Sequence, residues 1–105
     1  MVVIANWPSC RAAHWKVLLQ ARSIENQAFV VGVNRCGDDP HHHYAGGSLV
    51  LDPKGNLLAE AGSVEGVVEA RLDRRVLAGW RREFPALRDM RVRMRLARAR
   101  ANRHL

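Results

Sequence analysis

Four groups of residues carry side chains with chemical potential. Cys10 and His14 stand four apart near the start of a helical stretch. A helix start lowers a thiol pKa, and an imidazole one turn on can take the proton. No acid follows at a spacing that would orient that imidazole, so the pair is assigned no catalytic role. His41, His42 and His43 are consecutive. Three such imidazoles cannot all turn to one ion from regular structure, and no Cys or His motif accompanies them. Adventitious nickel or zinc affinity is expected there, and neither a metal site nor a cofactor is assigned. Arg22 and Glu25, three apart on a helix, are expected to form a structural ion pair. Finally, residues 71–105 hold twelve Arg and three acids, a balance of +9, whereas residues 1–70 hold five basic and seven acidic side chains, a balance of −2. Such asymmetry can mark an anionic partner, or simply an Arg-rich loose tail.

These residues sit in a chain of 105 residues, enough for one small domain. Apolar residues make up 48% and charged residues 26%, a globular composition. No apolar run is long enough for a bilayer, so no membrane association is expected. The start, MVVIANWP, has no basic region and no long apolar stretch, which argues against a secretory signal. Two cysteines, Cys10 and Cys36, are too few for a disulfide framework. A reduced, cytoplasmic protein is expected.

The elements that must position these residues follow from pattern. Residues 2–5 are a buried strand ended by Pro8, with Ser9 as a helix N-cap. Residues 11–27 lack Gly and Pro and form a helix that is apolar over most of its circumference, which implies cover on two sides. Residues 28–35 are apolar on both faces until Asn34, the signature of a central strand. Residues 36–46 are a loop by composition. Strands over 47–52 and 57–61 flank an Asp52-Pro53-Lys54-Gly55-Asn56 turn. Alternation over 66–72 predicts a half-exposed strand. Asp73 caps a short helix with a stripe of Leu77, Trp80 and Phe84, and Pro85 stops it. Residues 90–105 are an Arg-rich tail, of ambiguous period at first and frayed at its end. The order is β-α-β, then hairpin, strand and helix, an α/β layered fold. The chain is too lean to cover both faces of its strands, which suggests part of something larger.

The run Ala5-Asn6-Trp7-Pro8, then Arg11, His14-Trp15, Leu18-Leu19, Ala21-Arg22, Ile24-Glu25-Asn26-Gln27 and Val33-Asn34-Arg35, resembles the nitrilase superfamily of carbon–nitrogen hydrolases. It is most similar to the omega-amidase-like branch. Tyr44-x-Gly46-x-Ser48, Asp52-Pro53-x-Gly55 and Arg82-x-Phe84-Pro85 fit the same pattern. The resemblance covers residues 2–89 in order and implies an αββα sandwich that pairs through its helices into a four-layer dimer. Members hydrolyse small amides or nitriles with a Glu base, an oxyanion-holding Lys and a Cys nucleophile.

All three of those residues precede Asn-Trp-Pro in the family, so none is expected in this chain. Glu25 belongs to the Arg-x-x-Glu-Asn helix. Lys16 and Lys54 match no catalytic Lys, Cys10 follows Asn-Trp-Pro, and Cys36 lies beyond the central strand. Residues 1–89 therefore resemble an incomplete, carboxyl-terminal portion of the sandwich, inactive alone. It would meet a small-molecule amide substrate only if completed by the amino-terminal half. The resemblance puts Asn6 and Trp7 at the substrate pocket, with the 41–48 loop nearby. Two other classes stay open: an Arg-rich module for RNA, DNA or acidic lipid, and a structural partner in a homo-oligomer. The tail lacks interleaved aromatics and matches no nucleic-acid motif, which disfavours nucleic acid.

Overall fold

The apolar run at the amino end extends as β1 (Val2–Ala5), and the run before Asn34 extends as β2 (Val30–Asn34). They pair in parallel, Val2 beside Val31 and Ala5 beside Asn34. A parallel pair needs a crossover, and α1 (Ala12–Glu25) supplies it. The computed structural model describes residues 1–90; residues 91–105, most of the Arg-rich tail, lie outside the described residues. The remaining strands and α-helix among the described residues are β3 (Cys36–Asp38), β4 (His43–Ala45), β5 (Leu49–Leu51), β6 (Leu57–Glu60) and α2 (Arg74–Glu83), and a 3-10 turn (Ala86–Asp89) follows α2. The main sheet runs β1-β2-β5-β6, with β5 antiparallel to β2 and β6 antiparallel to β5; β3 and β4 form a separate antiparallel ribbon.

The core lies between α1 and one sheet face. Trp15 and Leu19 of α1 meet Val30, Leu49 and Leu51, with Val3, Ala5 and Trp7 packed at the margin. Gly32 lets the helix approach closely: a Cβ there would lie 2.6 Å from Leu19 Cδ1 and 3.1 Å from Trp15 Cζ2. Strand alternation sends Val2, Ile4, Val31 and Val33 to the opposite face. Val2, Ile4 and Val33 are 65%, 81% and 44% exposed. No described element covers that face at the β1 end. Nearer β5, residues 61–68 run beside Val31 and Val50 and enclose a cavity of about 350 Å³. This α-on-β arrangement is half of an αββα sandwich.

Several expectations are corrected. The first helix is covered on one side only; Val17 and Ile24 are 63% and 54% exposed on its far side. It spans 12–25 rather than 11–27, because the chain after Pro8 first makes a 3-10 turn (Ser9–Arg11). Ser9 therefore opens that turn and does not cap α1, whose N-cap position is Arg11 with no side-chain bond. At the other end Gln27 adopts φ +44, and the Ala28 N–H closes back on the Ser23 carbonyl at 3.1 Å. A left-handed residue with that closure ends a helix. Residues 36–46 are not a simple loop but the β3–β4 ribbon. Residues 66–72 form no strand: they pair with neither edge of the sheet, and alternation alone makes no strand without a paired backbone.

The other turn signals correspond to the structure. Asp52 Oδ1 accepts from the Lys54 and Asn56 N–H groups, and Gly55 takes φ +82. Partial burial pushes the Asp52 carboxyl up, but the bond from the Asn56 side-chain amide to Oδ2, together with these two N–H bonds, holds it below its ordinary range. Asp73 caps α2 by accepting from the Arg75 N–H at 2.9 Å. Trp80 of that helix lies under Lys54, whose ammonium is 4.4 Å from the ring centre.

Candidate functional site: the carboxyl ends of β1 and β2

Parallel strands joined by a helix deliver their following loops to the same end, where open α/β sheets place ligands. Here that end gathers the Asn6-Trp7-Pro8 loop, Asn34, the β3–β4 ribbon and Gly46–Ser48. Asn6 is exposed. Trp7 is half-buried, its ring 5.9 Å from Trp15 and its Nε1 donating to the Arg11 carbonyl. The Arg11 guanidinium lies 5.8 Å from the Trp7 ring centre. Trp7 thus serves two surfaces. It borders an apolar groove of about 340 Å³ with Met1, Val3, Ala5, Leu18 and Leu19. It also borders a smaller cavity of about 160 Å³ with Trp15, Lys16, Asn34, Gly46 and Glu60. Lys16 and Glu60 pair across that cavity at 3.4 Å.

Asn34 is the polar centre of this end and is buried. Its Oδ1 accepts from the Trp7 N–H at 2.8 Å. Its Nδ2 donates to the Gly46 carbonyl at 2.7 Å and to the Trp7 carbonyl at 3.2 Å. Its backbone N–H donates to Ser48 Oγ at 2.9 Å. Sequence reasoning assigned this residue no site role. The available signal was a lone amide ending an otherwise apolar central strand, since a buried amide must find partners for all its polar atoms.

The ribbon beside the site is organised by Asp39 rather than by apolar alternation. Its Oδ1 accepts from the His41 and His42 N–H groups, and its Oδ2 accepts from the Tyr44 hydroxyl at 2.6 Å. Arg35 lies 3.7 Å from the same carboxylate and 4.7 Å from the Tyr44 ring centre. Bonds from Tyr44 and then His41 hold the Asp39 carboxyl down at about 2, and the same bond raises the Tyr44 phenol. The sign follows: the folded ribbon favours ionised Asp39. That stabilisation is complete above the ordinary 3.8 and is lost as pH falls through about 2. A carbon-detected NMR titration should put the Asp39 midpoint near 2. In an Asp39→Asn chain, which lacks the carboxylate, the Tyr44 phenol should titrate closer to its ordinary 10.

The remaining candidates lie apart from the pocket chemistry. His43 Nδ1 meets Asp38 Oδ1 at 2.6 Å on the exposed ribbon. Among the described residues no group of three His, Cys, Asp or Glu is placed to hold a metal ion. Arg22 and Glu25 are in contact and both half-exposed, and Arg22 stands at the rim of the apolar groove that Trp7 borders. Cys10 is exposed on the 3-10 turn and Cys36 is half-buried on β3; both are free thiols. No helix among the described residues is long and apolar enough to cross a membrane.

A half-sandwich whose Asn-Trp-Pro loop opens at the carboxyl ends of a β-α-β unit defines a class, and family comparison agrees with it. The carbon–nitrogen hydrolase family model matches residues 2–82, and the chain belongs to that family. It is 48% identical over 88 residues to omega-amidase YafV of Yersinia enterocolitica, covering 82% of this chain and 34% of that protein. It is 45% identical over 91 residues to the 2-oxoglutaramate amidase of Bacillus subtilis, covering 87% and 35%. Among solved structures, the CN-hydrolase superfamily protein XC1258 of Xanthomonas campestris superposes with a TM-score of 0.78 at 44% identity, covering 85% of this chain and 35% of that one. The chain thus spans about a third of the length of the relatives it matches.

Proposed function

We propose that this chain is the scaffold and pocket-wall portion of an omega-amidase-type hydrolase, inactive by itself. The observation that carries this reading is the 48% identity to an omega-amidase over a segment amounting to 34% of that protein. The bare Val2–Ile4–Val33 face supports it, since an apolar sheet face needs a second layer. In this reading the covering layer is the rest of the sandwich, and it brings the Glu, Lys and Cys that the family resemblance implies. Asn6 and Trp7 would line the amide pocket, and the substrate would be the omega-amide of a dicarboxylic acid. Association with further copies through the exposed Val17 side of α1 belongs to the same proposal.

Ammonia release tests it. Residues 1–105 alone should release none from 2-oxoglutaramate. The same residues fused behind the part of the Yersinia enterocolitica omega-amidase that precedes its matched segment should turn that amide over. Release by the chain alone that disappears in Cys10→Ala would overturn the proposal.

A further inference from the structure

We infer that Asn34 is the positioning residue of the amide pocket, an inference that rests on the hydrolase reading above. Three segments end at this one side chain: the loop after β1, β2 itself, and the Gly46–Ser48 approach to β5. Its amide grips the backbone on both sides of Trp7, Oδ1 accepting from the N–H of the Asn6–Trp7 peptide and Nδ2 donating to the carbonyl of the Trp7–Pro8 peptide, while the second Nδ2 hydrogen reaches the Gly46 carbonyl. Every donor and the oxygen of the amide are used, and Asn34 is 9% exposed. No other residue type of that length offers one acceptor and two donors in this fork. Fixing the Trp7 peptide also fixes Asn6 beside it, whose exposed side chain has no hydrogen-bond partner among the described residues. Asn34 touches no substrate in this account; it sets where Asn6 and Trp7 stand.

Asp has the same shape but turns both donated bonds into oxygen–oxygen repulsions, so it tests the fork itself. In the fused enzyme described above, Asn34→Asp should raise KM for 2-oxoglutaramate by about tenfold or more. A purely structural role would lower the folded fraction, and kcat per total protein with it, and leave KM unchanged. A second measurement needs no activity. In residues 1–105, Asn34→Ser should speed hydrogen exchange of the Trp7 amide by about tenfold while the buried Val30 amide keeps its rate. Equal acceleration at both, or a parental KM in Asn34→Asp, overturns the inference alone. An inactive parent fusion overturns the hydrolase reading and this inference with it.

Discussion

Trp15→Ala should cost about 3–5 kcal/mol of folding stability. The indole is 6% exposed and forms the centre of the core between α1 and the sheet, against Leu19, Val30, Leu49 and Leu51. Its removal leaves a void that the sheet cannot close, because β2 is already pulled against the helix at Gly32. It also strands the Gly47 carbonyl, which accepts from Trp15 Nε1 at 2.8 Å. A small domain has about 5–15 kcal/mol in total, so most of the stability goes. Trp15→Phe, which keeps one ring but loses the other together with its N–H, should cost less, about 2–3 kcal/mol. Urea unfolding followed by circular dichroism distinguishes them. A loss below about 1 kcal/mol for the alanine variant would contradict the assignment of the core.

Gly46→Ala carries the second largest expected effect, about 2–4 kcal/mol. Gly46 has φ +69, and a Cβ there would lie 2.6 Å from the Gly62 carbonyl oxygen and 3.4 Å from the Cys36 Cβ. Backbone cannot swing aside as a flexible side chain can. Moving Gly62 would also break its bond from the Gly47 N–H at 3.2 Å. Gly37 provides the control: its φ is +93, yet no atom lies within 4 Å of its added Cβ. Gly37→Ala should therefore cost only the backbone strain, about 1–2 kcal/mol. Equal losses at the two glycines would remove the steric part of the argument. The Asn34 fork depends on Gly46, so Gly46→Ala should also speed Trp7 amide exchange.

The parts of the fold readable from sequence are those where one local rule acts unopposed. The run before Asn34 reads as a central strand because it is apolar on both faces, and β2 does lie between β1 and β5. The Asp52–Asn56 turn and the Asp73 cap depend on side-chain bonds to neighbours in sequence, so nearby residues suffice to read them. The β3–β4 ribbon is polar, contains Pro40 and Gly37, and owes its shape to one carboxylate that gathers Tyr44, His41, His42 and Arg35. No periodicity announces that. Residues 66–72 show the opposite case, a strand pattern that joins neither edge of the sheet. At the site, Asn6 and Trp7 entered through the family pattern, whereas Asn34 matters through partners 27 and 12 positions away. Spacing cannot reveal contacts of that range. The family reading survives these misses because it draws on motifs scattered over the chain.

The strand order has one further consequence. Among the described residues β1 is bonded to β2 along one side only, so its other side presents amides and carbonyls that none of them takes up over Val2–Ala5. Val-Val-Ile-Ala is β-branched at three of its four positions, uncharged and free of proline, a composition that templates growth by copies of itself. Concentrated stocks of this chain should therefore seed thioflavin-binding fibrils, with the lag set by how often that border meets its own kind.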